Sequence, residues 1–356
     1  MGWLIARLHR LAEALAGDRP WALRLAGGLI TLLLVGGSGL AGWGVERLAL
    51  SQQAAAAPLR ALADGALLIA LASALAGRSL EQAVQQVLRA LPAQASAISH
   101  PSAPLLNSVQ TAQNSGELPD RTPAQTPDPT EPQASLQAAR QALSWIVGRD
   151  TADLDAPEIL RAAAETASEN AVDGLFAPLF WMLVGTGLWS LGMEAGPGPL
   201  ALAWGFKAAS TLDSMLGYRT GRLRWLGTAG ARLDDLLVWL PCRLVALSLP
   251  LLTPGQRGRC WPLLQRALAD GRPDPSPNAG VSQAAYAHAV GVQLGGWNRY
   301  GDQRKAKPLL AEGCPPPSAA SVERMLQLSR RLEGLWLLLA AGGAAGIWAV
   351  TSGSPQ

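Results

Sequence analysis

The sequence predicts an all-α protein: a polytopic membrane helical bundle with polar, motif-bearing cytoplasmic loops and half-helices. Three observations predict it. Only 15% of the 356 residues are charged, against ~25% in an average soluble domain, while 49% are hydrophobic and mean hydropathy is +0.16. Uncharged runs recur, and the longest, Leu25 to Val45, is 21 residues, enough to cross ~30 Å of hydrocarbon as a helix. No stretch shows the convincing period-two alternation of a half-buried strand.

Taken in chain order, Arg7 and Arg10 precede the first apolar run. That run is too long for a signal-peptide core and no small-x-small site closes it, so it reads as a retained anchor. Ala66 to Gly77 is a weaker, shorter apolar segment after Asp64. Ser79 to Leu91 has amphipathic helical spacing, with Ser79 as N-cap and Leu80, Val84, Val87, Leu88 and Leu91 along one side. Residues 97–133 are rich in Ser, Pro, Gln and Thr and poor in large apolar groups, so they are expected to be a disordered, dispensable insertion.

Beyond the insertion, Asp155-Ala156-Pro157-Glu158 is a helix start with an acidic N-cap and Glu at N3, and the helix is expected to run to about Asp173. Phe176 to Met193 is an uncharged run broken by the Gly/Pro-rich segment Gly192 to Pro199. A membrane hairpin of two short helices turning near Gly196-Pro197-Gly198 brings Asp173 and Lys207 back to one site. Leu236 to Leu252 is apolar but holds Pro241 and Arg243, and Gly334 to Val350 is a final uncharged run. The chain thus divides into N-terminal spans with an amphipathic helix (1–96), the insertion (97–133), a motif-bearing region with the hairpin (134–331) and a C-terminal span (332–356).

Formal net charge is only +3, which gives no broad basic footprint for nucleic acid. The basic residues are clustered: Arg7, Arg10, Arg19 and Arg24 before the first span, then Lys207, Arg219, Arg222, Arg224 and Arg232. This bias places the N-terminus and the motif loops on the cytoplasmic side of the cell membrane. Cys242, Cys260 and Cys314 lack pairing or metal-ligand spacing, and the three histidines are scattered.

Polar motifs sit beside the apolar runs, where ionisable groups read as functional by default. Glu165, Glu169 and Asp173 follow at i, i+4 and i+8, which stacks three carboxylates on one helix face. The row is either a solvated face or, because it runs into an apolar span, a holder for a hard cation such as Mg²⁺. Lys207 and Asp213 flank Ser210 and Thr211; they are a buried pair or part of a site. Arg232 either clamps an anion with its planar fork or pairs with Asp234 or Asp235. Ser276-Pro277-Asn278-Ala279-Gly280 and Gly295-Gly296-Trp297-Asn298-Arg299-Tyr300-Gly301 are turns joined by an apolar helix, either phosphate cradles or helix punctuation. Gly37-Ser38-Gly39-Leu40-Ala41-Gly42 matches G-x-G-x-x-G but lies inside a span with no preceding strand, so it reads as close helix packing.

With these blocks assembled, the chain resembles the CbiB/CobD family of cobalamin biosynthesis, the adenosylcobinamide-phosphate synthases. The resemblance rests on G-R-D-T (148–151), E-T-x-x-E-N-x-V-D-G with A-P-L-F (165–180), K-A-x-x-T-L-D-S-M-x-G-Y (207–218), A-R-L-D-D and L-P-x-R (231–243), S-P-N-A-G (276–280) and L-G-G-x-N-x-Y-G (294–301). It implies a multispanning enzyme, an ATP-dependent amide-forming ligase. The reaction joins (R)-1-amino-2-propanol O-2-phosphate, or aminopropanol, to the f propionate of adenosylcobyric acid, giving adenosylcobinamide phosphate. It further implies Mg²⁺ and ATP as the driving pair and no bound organic cofactor. The implied partners are the corrinoid, the amino-alcohol phosphate, membrane lipid and other membrane enzymes of the late pathway.

On that reading Glu165, Glu169 and Asp173 hold the metal. Lys207, Asp213, Asp234 and Asp235 are catalytic. Arg149, Asn170, Tyr218, Arg219, Arg232, Asn278 and Asn298 bind substrate. The family's opening helix, with its Gly-Asp-Pro…His-Pro segment, has no counterpart here; Gly17-Asp18-Arg19-Pro20 falls where the family has a variable linker. Either the start is truncated or this branch lacks those groups. Two alternatives from other classes are a non-catalytic assembly subunit and a small-molecule transporter. A transporter would carry its charges within the spans and show repeated halves, whereas here most lie at span ends and no repeat is visible.

Overall fold

A computed structural model describes residues 1–51, 56–92, 131–301 and 303–352, with the side chains of 131, 132 and 344–352 left out. Most of the expected insertion lies outside the described residues. The described chain is mainly helical, and four helices are long and apolar enough to cross a membrane: α2 (Pro20–Ser51), α3 (Ala57–Ala74), α6 (Ala156–Ser190) and α9 (Thr228–Leu252). Around them lie α1 (Gly2–Ala16), α4 (Gly77–Ala90), α5 (Glu131–Ser144), α7 (Pro199–Leu216), α8 (Leu223–Leu226), α10 (Cys260–Gly271), α11 (Ala279–Val290) and α12 (Ala319–Ser352). Leu29, Leu32, Leu33 and Leu40 of α2 and Leu62, Leu68 and Ile69 of α3 point outward, exposed. A face of that extent would aggregate in water and suits lipid.

α2 and α7 pack antiparallel. Ile5 of α1, Leu23, Ile30 and Leu34 of α2, Leu212 and Leu216 of α7 and Leu226 of α8 form one buried cluster. At the other end, a Cβ on Gly42 would stand 2.8 Å from the Ala201 Cα, so the glycine-rich run of α2 is a helix-crossing surface, as its sequence context implies. The start of α2 and the end of α7 therefore share one end of the bundle, where Arg222 also pairs with Asp18 at 2.7 Å.

α6 is longer than the sequence pattern implies. Its start is the expected capping box, with Glu158 N–H donating to Asp155 Oδ1 at 2.8 Å and Asp155 N–H to Glu158 Oε2 at 3.1 Å. It does not stop at Asp173. A π turn over Val172–Phe176 carries it on to Ser190 as one rod. The Gly174 carbonyl accepts from the Ala76 N–H at 2.7 Å, so the turn also docks the start of α4. π turns inside α-helices mark functional segments, and this one contains Asp173. The rod breaks at residues 191–198, and α7 returns beside it, so the two segments form a helical hairpin whose first arm is the long rod rather than a short helix.

Two further expectations are corrected. The protein is not all-α: β1 (Leu294–Tyr300) and β2 (Gln303–Leu310) form an antiparallel hairpin, with Trp297 opposite Ala306 and Asn298 opposite Lys305. Its signal is hidden because Gly295 and Gly296 have φ of 86° and 96° at an irregularity in register, and β2 is largely exposed and basic. Pairing, not alternating burial, defines this sheet. Ser79 is not the N-cap of α4; the helix starts at Gly77 and Ser79 Oγ donates back to Ala76 O. The predicted stripe holds, with Val84 and Val87 fully buried. Phe176, where the third uncharged run begins, lies inside α6. The C-terminal apolar run begins within α12, which starts at Ala319, and the rest of the expected span lies outside the residues whose side chains are described.

Candidate active site at the polar end of the bundle

Glu165, Glu169 and Asp173 form a row on α6 that joins a polar cavity to a cluster of aspartates. The cavity, of about 260 Å³, lies between α6, α11 and the hairpin; Arg149, Glu165, Glu169, Asn170, Gln283, Asn298, Tyr300 and Lys307 line it. Its rim is built by G-R-D-T. Arg149 Nη2 pairs with Glu165 Oε2 at 2.7 Å and its Nη1 donates to Asn298 Oδ1. Asp150 N–H donates to the Arg299 carbonyl at 3.1 Å, and Gly301 N–H to Asp150 Oδ2 at 2.6 Å. Gly295 N–H donates to Glu165 Oε1 at 3.0 Å, and Arg161 holds the Gly295 and Trp297 carbonyls. The motif therefore fastens the hairpin against α6.

Glu165 and Arg149 are saturated by these bonds. Glu169 is less so: its Oε2 accepts from Gln283 Nε2 at 2.6 Å. Gln283 is 1% exposed, and its Oε1 has no partner. Lys307 reaches in from β2, 3.7 Å from Asp274 Oδ2. Burial pulls its ammonium toward lower pKa, but Glu169, Asp274 and Glu165 outweigh that and hold it above its ordinary value of 10.5.

The other end of the row meets a cluster of aspartates. Asp173 lies within electrostatic reach of Asp213 on α7 and of Asp234 and Asp235 on α9. Asp234 is 9% exposed and its Oδ1 has no hydrogen-bond partner. Lys207 feels the charge of Asp173, and Arg219 that of Asp213 and Asp235. Asn278 ties the 276–280 turn to α9: its Nδ2 donates to Asp235 O at 2.8 Å and its Oδ1 accepts from Arg243 at 2.5 Å.

The structure thus brings together most of the expected residues but redistributes them. The acid row is divided among different partners: Glu165 pairs with Arg149, Glu169 accepts from Gln283, and Asp173 lies within electrostatic reach of the aspartates. Among the described residues no three His, Cys, Asp or Glu side chains are gathered to hold a metal unaided. Arg149 and Asn278 bind protein, Arg219 donates to Pro275 O at 3.4 Å, and Tyr218 and Arg232 are exposed. Gln283, Tyr300 and Lys307 were missed. Gln283 had a signal, a lone amide inside an otherwise apolar helix; Lys307 had none, since its strand was not recognised.

Residues 123–329 match the CobD/Cbib protein family. The chain is 41% identical over 272 residues to the cobalamin biosynthesis protein CobD of Synechocystis sp., covering 76% of this chain and 65% of that protein. It is 44% identical over 209 residues to CobD of Geobacter metallireducens, covering 58% and 61%. It is 34% identical over 349 residues to CobD of Chromobacterium violaceum, covering 97% and 88%. The alignments thus span less than two thirds of the Synechocystis and Geobacter proteins' own length. No solved structure matches the chain. A helical bundle with four potential membrane spans and a polar site at one end defines a membrane protein of helical class. With the match over more than half its length, the chain belongs to the CobD/CbiB family of cobalamin biosynthesis.

Proposed function

We propose that the protein is the amide-forming ligase of this family, joining an amino-propanol phosphate, or aminopropanol, to the f propionate of adenosylcobyric acid. The observation that carries the reading is the polar cavity beside α6 together with the adjoining aspartate cluster, to which residues of the family blocks contribute. A carboxylate and an amine do not condense in water unaided. Phosphoryl transfer from ATP to the propionate gives an acyl phosphate and ADP; attack by the neutral amine then forms the C–N bond and expels phosphate.

Mg²⁺ belongs in the aspartate cluster on this reading. It takes one or two carboxylates plus phosphate oxygens and keeps several waters. Asp234, with its buried unpartnered Oδ1, and its neighbours Asp213 and Asp235 supply such a set. The ion would neutralise phosphate charge there. Lys207 and Arg219 offer cations to phosphate or corrin carboxylate beside it. The site end of the bundle is assigned to the cytoplasm by the arginine bias at the start of α2.

The test is an assay of purified, membrane-inserted protein with adenosylcobyric acid, amino-propanol phosphate and MgATP. Adenosylcobinamide phosphate is the expected product. Its absence with correctly inserted protein overturns the reading.

A further inference from the structure

We propose that Glu169 and Gln283 form an ammonium-binding corner that seats the amine of the amino-alcohol substrate, with Lys307 facing its phosphate or hydroxyl end. This rests on the proposed reaction and assigns the small substrate to the cavity beside the hairpin rather than to the aspartates.

The argument is a donor and acceptor inventory. Gln283 Nε2 donates to Glu169 Oε2 at 2.6 Å, and this fixes the amide. The flipped amide would set Oε1 against a carboxylate. Gln283 Oε1 is therefore held as a buried acceptor without a donor on a side chain 1% exposed. An unmet buried acceptor is destabilising, so a site that keeps one is built for an occupant.

The charges agree. Glu165 has Arg149 and the Gly295 N–H, while the hydrogen-bonded partner of Glu169 is a neutral amide, with Lys307 within electrostatic reach and itself 3.7 Å from Asp274. A primary ammonium carries three donors and no acceptor. It meets both the Gln283 Oε1 and the Glu169 charge. Lys307, across the cavity, offers a cation to the other end of the molecule. The volume, about 260 Å³, falls below the ~300–1,000 Å³ of drug-sized ligand sites and suits a three-carbon amino alcohol or its phosphate.

Binding is measured with the full chain in nanodiscs, without nucleotide or corrinoid. The probes are 1-amino-2-propanol and its O-2-phosphate, with propane-1,2-diol and its phosphate as matched compounds lacking the amine. The amines should raise the melting temperature and the diols should not. Gln283→Met keeps the packing but removes the acceptor, and should weaken amine binding at least about tenfold. Lys307→Met should narrow the preference for the phosphate over the free alcohol. Equal binding of diol phosphate and amine phosphate overturns the proposal. So does stabilisation by Mg²⁺ alone that Glu169→Gln abolishes, since the corner is then a metal site. In the complete assay, Gln283→Met should raise KM for the amine and leave KM for the corrinoid. If product forms with an unchanged amine KM, the corner fails and the reaction stands. If no product forms but wild type binds the amine and Gln283→Met does not, the reaction fails and the corner stands.

Discussion

Two glutamates lie on apolar helices at opposite ends of this bundle, and their surroundings differ. Glu46, at the far end of α2, is fully buried and accepts three backbone N–H groups at the start of α7: Gly198 at 3.0 Å, Leu200 at 2.6 Å and Ala201 at 3.2 Å. It caps a neighbouring helix at the positive end of its dipole. Glu169, at the polar end, has one amide whose own oxygen is unmet. A carboxylate within a membrane span is thus no sufficient sign of function; its hydrogen-bond inventory separates a cap from a site. The difference also weakens the transporter alternative, because the deepest acid of α2 has its lone pairs committed to backbone.

The largest expected effect comes from the saturated pair. Arg149→Leu leaves Glu165 charged among side chains only about 5% exposed. Removing one partner of a buried pair costs ~3–5 kcal/mol. Proteolysis should open the hairpin in this variant, and Arg149→Leu with Glu165→Leu should recover part of the loss. A single variant as stable as wild type would show that G-R-D-T does not fasten the hairpin.

Next in size is the cap. Glu46→Gln keeps one acceptor but loses the charge, for a cost of ~1–2 kcal/mol. A lower unfolding midpoint with unchanged KM values is the expected result. Lost turnover with unchanged stability would make Glu46 a relay and undo the comparison.

Glu169→Gln is expected to do the reverse. Its stability should stay near wild type while turnover drops at least about tenfold, ~1.4 kcal/mol of barrier. Wild-type rates would show that Glu169 takes no part in the reaction.

The span positions, the capping box at Asp155, the α6–α7 hairpin and the stripe of α4 were legible because each is a local pattern: an apolar run, a cap, a Gly/Pro break, a 3.6-residue spacing. The β hairpin was not, because cross-strand pairing is non-local and its face is glycine and lysine rather than alternating apolar residues. The acid row was visible as a row, but not that its three members part company. That division is set by Arg149, Gln283 and Asp234, which arrive from other segments, and by the π turn, which has no signature in residues 172–176.

The smallest effect concerns Lys307, the cation that the sequence hid. Its folded-state pKa is raised above the ordinary 10.5, because Glu169, Asp274 and Glu165 outweigh its burial. A group raised in this way adds stability that is fully present below its unfolded value and is lost as pH climbs through the folded one. The wild type should therefore melt above Lys307→Met by a constant margin from about pH 8 to about pH 10, worth roughly 1 kcal/mol or less for a pair at 3.7 Å. Above that the margin should shrink toward zero, and other lysines and tyrosines cancel in the difference. A margin that grows with alkalinity would mean that Lys307 is neutralised more readily in the fold than in the open chain. The acids around it would then be failing to hold its charge, and Glu169 would be matched by less than a full cation before any ligand arrives.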